Sequence, residues 1–228
     1  MLRYIGVLLC IVGIFIVGCE PKPVLKNALK DRSVGVLSVV WDPNLPLEGR
    51  EGILALGPRQ TEVLTDAFLR GLARISNSWV RDANSLVLKE ALSFYPDSPI
   101  PRKDGVALSV VSGYKWVALQ NPSVALHWCE ALRVDTVLTA ILSPRAVFAK
   151  DNVQILVDIE FTVFNRQEGR IYKDSIQVLI PLSAEDQKWV MADPRRLPNV
   201  LTSQQVAAAL SQLYPVASSV PTKNQKPR

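Results

Sequence analysis

Residues 153–180 read VQILVDIEFTVFNRQEGRIYKDSIQVLI. Over the first twelve residues every second side chain is apolar, and those between are mostly polar, although Leu156 and Phe164 share the polar side. This period of two predicts a β-strand that buries one face. The loop NRQEG follows, with Gly169 at a position suited to positive φ. The chain then returns as a second strand, so the stretch predicts a long β-hairpin. The returning strand places four residues on one face: Tyr172, Ile176, Val178 and Ile180.

Two apolar runs upstream of the hairpin predict strands at the centre of a sheet. Residues 33–41 read SVGVLSVVW and residues 134–142 read VDTVLTAIL. Both runs are apolar on both alternating faces, which is typical of strands covered on two sides. A short strand is predicted at 78–82, and the segment 106–119 stays open between helix and strand.

Three helices are predicted between these strands. Residues 58–76 have a helical period, with Pro58 in the first turn, where its missing N–H costs nothing. A second helix begins at Asn84 or Ser85 and ends before Pro96. The pair Asn121-Pro122 begins a third, because it joins a side-chain cap to a proline at the first position. The apolar stripe of the first helix comprises Leu64, Phe68, Leu72 and Ile75.

The remaining segments predict loops, one further helix and a tail. Residues 42–57 and 97–104 contain prolines or glycines and are expected to be loops. A last short helix is expected from Thr202 or Ser203 to Leu213. The order of elements predicts an α/β fold: a single mixed sheet covered by helices, ending in a long β-hairpin and preceded by a lipidated N-terminal tether.

The first nineteen residues resemble the signal peptide and lipobox of bacterial lipoproteins. One positive charge is followed by an apolar run that is too short for a spanning helix, which needs about 20 apolar residues. The run ends in Ile16-Val17-Gly18-Cys19. The resemblance implies cleavage between Gly18 and Cys19 and acylation of Cys19, which is therefore the lipidation site. An ordinary secretory signal and an uncleaved anchor helix are the alternatives.

These features divide the chain into four parts. Residues 1–18 are expected to be the signal peptide, 19–32 a lipidated tether, 33–214 a periplasmic α/β domain and 215–228 a disordered basic tail. Two or three acyl chains give an attachment that does not readily reverse. Because Glu20 and not aspartate follows Cys19, the enterobacterial sorting rule implies the periplasmic face of the outer membrane.

Charge and cysteine content exclude several classes of protein. Removal of residues 1–18 takes away Arg3 and lowers the net charge from +5 to +4. Three basic residues lie in the last six, so the body is close to neutral, which argues against nucleic acid as a partner. Once Cys19 carries lipid, Cys129 is alone and no intramolecular disulfide is available. One histidine and one thiol give no metal-ligand spacing, and no cofactor is expected.

Four segments resemble a superfamily of periplasmic lipoprotein domains. They read SVGVLSVVW, RQTEVLTDAFLRGLARISNSWVRD, ALRVDTVLTAIL and VDIEFTVFNRQEGRIYKDSIQV, and together cover roughly residues 33–180. The superfamily includes the curli secretion channel lipoprotein, the outer-membrane activator of penicillin-binding proteins and the amino-terminal domain of the Tol translocation protein. The chain departs from that pattern at Ala140, where a glycine is usual. It also lacks an obvious insertion for paired membrane strands, which puts pore formation in doubt.

Candidate catalytic groups have simpler interpretations. Ser123, His127 and Glu130 lie together on the third helix, but opposite its apolar stripe, so a solvated surface is favoured over a catalytic triad. Cys129 lies on the stripe and is expected to be a buried, inert thiol. Asp158 and Glu160 are interpreted as a solvated strand face. The segment Gly105–Gly113 lacks the spacing of a phosphate loop. The pair Arg195-Arg196 is interpreted as a solvated charge cluster. The tryptophans are expected to be core residues: Trp41, Trp79, Trp116, Trp128 and Trp189.

The preferred function is that of a non-enzymatic envelope lipoprotein that binds another protein in assembly or regulation. A subunit of an oligomeric outer-membrane secretion assembly and an envelope hydrolase are the alternatives, and homo-oligomers stay open. The expected partners are the lipid bilayer, through acylated Cys19, and an envelope protein. One strand of the hairpin is expected at a sheet edge, where Tyr172, Lys173 and Ser175 would form part of a partner contact. A polar, protected edge is the alternative at that position.

Overall fold

The computed structural model describes residues 24–96 and 98–200. The strands are, in chain order, β1 (Val34–Trp41), β2 (Asn44–Glu48), β3 (Ile53–Ala55), β4 (Val80–Arg81), β5 (Arg102–Lys103), β6 (Val106–Ala107), β7 (Ser109–Val110), β8 (Thr136–Ala149), β9 (Asn152–Asn165) and β10 (Arg170–Ile180). The helices are α1 (Val24–Leu29), α2 (Pro58–Ser76), α3 (Leu86–Ser93), α4 (Pro122–Leu132), α5 (Ala184–Ala192) and α6 (Leu197–Val200), with a 3₁₀ turn at Pro194–Arg196.

The described strands form one mixed sheet, apart from the small β5–β6 hairpin. The main path of the sheet runs β10-β9-β8-β1-β4. The α/β class, the helical cover and the terminal hairpin are therefore as predicted. Strand β1 is the centre, since all eight of its residues are buried and it pairs in parallel with β8 on one side and β4 on the other. Helix α2 supplies the crossover that the parallel pair β1 and β4 requires.

Helices cover β1 on both faces. On one face α2 buries a stripe that includes Phe68, whose ring stacks on Phe161 of β9 with a centroid separation of 5.9 Å. On the other face α4 approaches so closely that a Cβ atom at Gly35 would lie 2.9 Å from Cδ1 of Leu132. A side chain at position 35 would therefore displace the Leu132 side chain from its packing on β1.

The terminal hairpin has the predicted register. Strands β9 and β10 pair without interruption from Asn165–Arg170 to Ile155–Ile180. Gly169 adopts φ +62° in the connecting loop, as predicted from its sequence context. Because β9 also pairs along its whole length with β8, only β10 is left at this margin of the sheet.

Three segments differ from the sequence prediction, and a fourth, which the sequence left open, is defined by the structure. The predicted loop 42–57 contains the β2–β3 hairpin, and β2 also pairs with the end of β8. The predicted loop 97–104 contains β5, which pairs with β6. The ambiguous segment 106–119 consists of the short strands β6 and β7 followed by irregular chain. Residues 184–200, for which no element was predicted, form α5, a 3₁₀ turn and α6.

Helix α1 lies within the segment 19–32 that the sequence assigns to the tether. Its Ala28 and Leu29 are buried in the core, so the described domain already includes this end of the segment. The predicted signal peptide, Gly18 and Cys19, the helix at 202–213 and the tail at 215–228 lie outside the described residues. Among the described helices, none has the length and apolar character needed to cross a bilayer.

Candidate interaction site

Strand β10 forms an open edge of the sheet. Its eleven residues pair with β9, and no other described strand pairs with its outer side. An open edge presents backbone N–H and C=O groups that a second strand can pair with. The predicted edge position of the hairpin is therefore present in the fold.

The backbone of Ser175 shows which amides face the open edge. Its N–H donates to the Asp174 carboxylate at 2.9 Å. The register has no bulge and alternate residues point to the same side, so the N–H groups of Lys173, Ser175 and Gln177 all face away from β9. Asp174 therefore occupies one of the edge donors with its own side chain.

The three predicted contact residues differ in their exposure. Lys173 and Ser175 are exposed on the outer side of β10. Tyr172 is only half-buried because it pairs with Val163 on the core side. Its hydroxyl donates to Glu168, and this hydrogen bond raises the pKa of Tyr172. The side chain of Tyr172 is therefore less accessible than the sequence suggested.

A concave surface adjoins the edge on the sheet face that carries Lys173 and Ser175. Its volume is about 590 Å³, and the indole of Trp116 forms one wall. Its floor comes from three strands and consists of Thr139, Ile141, Glu160, Thr162, Lys173 and Ser175. We call these six residues the open face. Nearby Asp158 accepts from Gln177 Nε2 at 2.8 Å and lies 3.5 Å from Arg145 Nε, so it is engaged in structural contacts.

The candidate catalytic trio lies on the solvent side of α4. Ser123, His127 and Glu130 are all exposed, and Trp128 and Leu132 are buried on the opposite side. This is the placement predicted from the helical period. The imidazole of His127 lies 6.0 Å from the ring of Tyr95, measured between centroids.

Cys129 is fully buried in the core. Burial raises the pKa of its thiol to about 12, and the nearby Arg166 only partly offsets this effect. A thiol with that pKa carries almost no thiolate at neutral pH, and thiolate is the reactive form. The structure thus agrees with the predicted inert thiol.

Other singled-out residues have structural contacts. Arg195 pairs with Asp193 at 2.9 Å, and Arg196 lies over the ring of Trp189 at 5.4 Å. Trp41 and Trp128 are core residues as predicted, whereas Trp79 and Trp189 are about half exposed. Among the described residues, no group of histidine, cysteine and acidic side chains could hold a metal ion.

One cavity was not predicted. It lies between α2 and the segments around β4 and β7, and its volume is about 470 Å³. The Tyr114 hydroxyl is buried beside it, and burial raises the pKa of Tyr114. Three separate segments supply the lining, so no local pattern in the sequence could have identified it.

No family model and no curated protein sequence matches this chain. Several solved structures resemble it at low identity. The LpoB C-terminal domain from Salmonella enterica is 15% identical over 65% of this chain and 83% of that chain, with a TM-score of 0.31. Lipoprotein GNA1162 from Neisseria meningitidis is 12% identical over 73% and 98%, with a TM-score of 0.36. The hypothetical protein CT253 from Chlamydia trachomatis is 14% identical over 79% and 96%, with a TM-score of 0.33.

Proposed function

We propose that this chain is a lipid-anchored envelope protein that binds another protein, without catalysing a reaction, through the edge of β10 and the adjoining open face. The observation that carries the proposal is an edge strand of eleven residues that is paired on one side only. Strands of this length at an edge either carry blunting groups or recruit a partner strand.

The edge both carries blunting groups and can recruit a partner strand. Lys173 and the Asp174 cap discourage indiscriminate pairing. A partner strand that supplies a carbonyl opposite Ser175 would replace the carboxylate as acceptor and free Asp174 to contact the partner. The edge therefore favours a partner with matching polar groups over unspecific aggregation.

The anchor is supported by the segment Ile16-Val17-Gly18-Cys19. Acyl chains on Cys19 would hold the domain at a membrane surface, where a partner is met in two dimensions. Replacement Cys19→Ala is expected to abolish incorporation of radiolabelled palmitate and to leave the signal uncleaved. Normal processing and release of this variant would contradict the lipoprotein assignment.

Replacement Ser175→Pro tests edge docking. Because the N–H of Ser175 faces away from β9, proline removes its hydrogen bond to Asp174 but none between the two strands, and it should be tolerated. We expect loss of the crosslinked partner from cells at nearly unchanged thermal stability. Ser175→Ala, which keeps the amide, is the matched control and should retain the partner. Unchanged recovery with a folded Ser175→Pro protein would exclude the edge and direct the search to the helical face.

An oligomeric assembly is the second candidate, because an open edge also permits two copies of this chain to pair. Sedimentation of the lipidated protein in detergent separates the two functions. A ring that persists on dilution and conducts ions in a planar bilayer would favour a secretion subunit, and a monomer that does neither would favour the binding protein.

A further inference from the structure

Four chain segments meet at the end of the sheet where β1 begins. Backbone hydrogen bonds join Asp31 N–H to Ser76 O at 2.7 Å, Val34 N–H to Trp79 O at 3.2 Å, and Arg166 N–H to Asp135 O at 2.9 Å. The Ser33 hydroxyl also donates to the Asp135 carboxylate at 2.6 Å. We call this surface, formed by residues 29–34, 74–81, 130–136 and 165–170, the base of the domain.

The base is positively charged. Its four segments contain seven basic and four acidic residues, a net charge of +3. Two of the acids are engaged, since Arg32 pairs with Glu168 at 3.7 Å and Arg166 with Glu130 at 3.8 Å. Four exposed cations form no ion pair within the described part of the chain: Lys30, Arg74, Arg133 and Arg170.

The opposite end of the domain has the reverse charge. Three segments lie at this end: 42–51 follows β1, 149–152 joins β8 to β9, and 183–188 follows β10. They contain three basic and six acidic residues, a net charge of −3. These segments therefore carry net charge of opposite sign at the two ends of the strands, and the positive segments lie at the base.

Trp79 adds an amphipathic side chain to the base. It is 47% exposed, and the guanidinium of Arg81 lies over its ring at 4.6 Å. An indole flanked by cations suits the boundary between lipid headgroups and acyl chains, where tryptophan is enriched in membrane proteins.

The length of chain before α1 also points to the base. Cys19 and Val24 are five residues apart, so even fully extended chain spans at most about 18 Å between them. Helix α1 adds about 8 Å to Leu29, which lies at the base. The far end of the sheet is separated from the base by the length of β9, which is about 45 Å for its fourteen residues. An anchor at Cys19 therefore stays within about 26 Å of Leu29 and cannot reach the acidic end.

We propose that the base docks on an anionic phospholipid surface, with Trp79 at the headgroup boundary and with Lys30, Arg74, Arg133 and Arg170 facing the lipid phosphates. This inference rests on the lipid anchor of the proposed function. The anchor keeps the domain at the surface, and the charges then select its orientation. Each cation near an anionic surface contributes about fivefold to binding. The three arginines among them therefore shift the ratio of docked to undocked orientations by about 100-fold.

Tryptophan quenching in vesicles tests the docking. The full-length lipidated protein is reconstituted into vesicles of brominated phosphatidylcholine, with or without phosphatidylglycerol. We expect quenching that needs phosphatidylglycerol, weakens at high salt and disappears in Trp79→Phe. Trp189→Phe is the matched control, because Trp189 is similarly exposed at 53% but lies on α5, and this variant should keep the quenching.

A comparison of two triple variants, each of which removes three positive charges, completes the test. The triple replacement Arg74→Gln, Arg133→Gln and Arg170→Gln should abolish most of the quenching, whereas a triple replacement of equal charge away from the base, Arg59→Gln, Lys150→Gln and Lys188→Gln, should not. Equal losses in both triple variants, or wild-type quenching that is insensitive to salt and phosphatidylglycerol, would overturn the docking. Co-flotation with vesicles is scored first. Protein that floats with neither vesicle refutes the anchor together with the docking, and protein that floats without quenching of Trp79 refutes the docking alone.

Discussion

Replacement Ser38→Ala is expected to destabilise the domain more than any exposed substitution. Ser38 is fully buried on β1, next to the bulge that shifts the register with β8. Its hydroxyl donates to Lys115 O at 2.5 Å and accepts from Val117 N–H at 2.7 Å. This one side chain therefore attaches the irregular segment that follows β7 to the central strand.

The magnitude follows from the groups left behind. Alanine removes both hydrogen bonds, and it leaves the buried N–H of Val117, a residue that is 7% exposed, without its acceptor. A buried polar group without a partner costs about 1–3 kcal/mol, and the carbonyl of half-buried Lys115 adds less. We expect the free energy of unfolding to fall by about 2–3 kcal/mol.

Urea denaturation at neutral pH measures this loss, and hydrogen exchange at the Val117 amide locates it. Ser112→Ala is the matched control, because Ser112 is an exposed serine of the same segment and should change stability by no more than about 0.5 kcal/mol. If Ser38→Ala behaves like this control, the assignment of Ser38 as the attachment of the segment is wrong.

Two further predictions concern single polar groups. The Ser33 hydroxyl lowers the pKa of Asp135, so this carboxylate stabilises the fold above its unfolded pKa, about 3.9, and the effect is lost as the pH falls through its lowered folded pKa. Asp135→Asn should therefore lower the free energy of unfolding by about 1 kcal/mol at pH 7 and by less near pH 3. An equal loss of unfolding free energy at both pH values, measured by urea titration, would contradict this. His127→Ala should preserve cellular function at normal abundance, because His127 lies on a solvated helix face, whereas loss of function in a folded variant would favour the hydrolase alternative.

The parts of the fold that sequence could predict are those with regular periods. The alternation in β9 identified the hairpin, and the unbroken apolar run in β1 identified a strand covered on two faces. The β2–β3 hairpin was missed because Pro43, Pro46 and Gly49 dominate a segment whose pairing depends on β8. The chain after β7 has no regular period that would predict an element. It is held in place by a distant hydroxyl, that of Ser38, which no local pattern reveals.

The candidate site divides in the same way. The exposed positions of Lys173 and Ser175 follow from strand alternation, and the edge follows from the hairpin being last in the sheet. The Asp174 cap and the half-buried Tyr172 depend on side-chain geometry, which alternation does not predict. The basic end is assembled from four segments that are far apart in sequence, so it becomes visible only in the fold.

The position of β1 between β8 and β4 has a consequence for the order in which the protein folds. Contacts such as Ser33 to Asp135 span 102 residues, and native contacts between distant residues form slowly. The β8–β9–β10 meander can form from local contacts, but β1 is synthesised about 100 residues before β8. During this interval its run VGVLSVVW is uncovered and prone to aggregate. This run is therefore covered only once β8 has formed and β1 pairs with it.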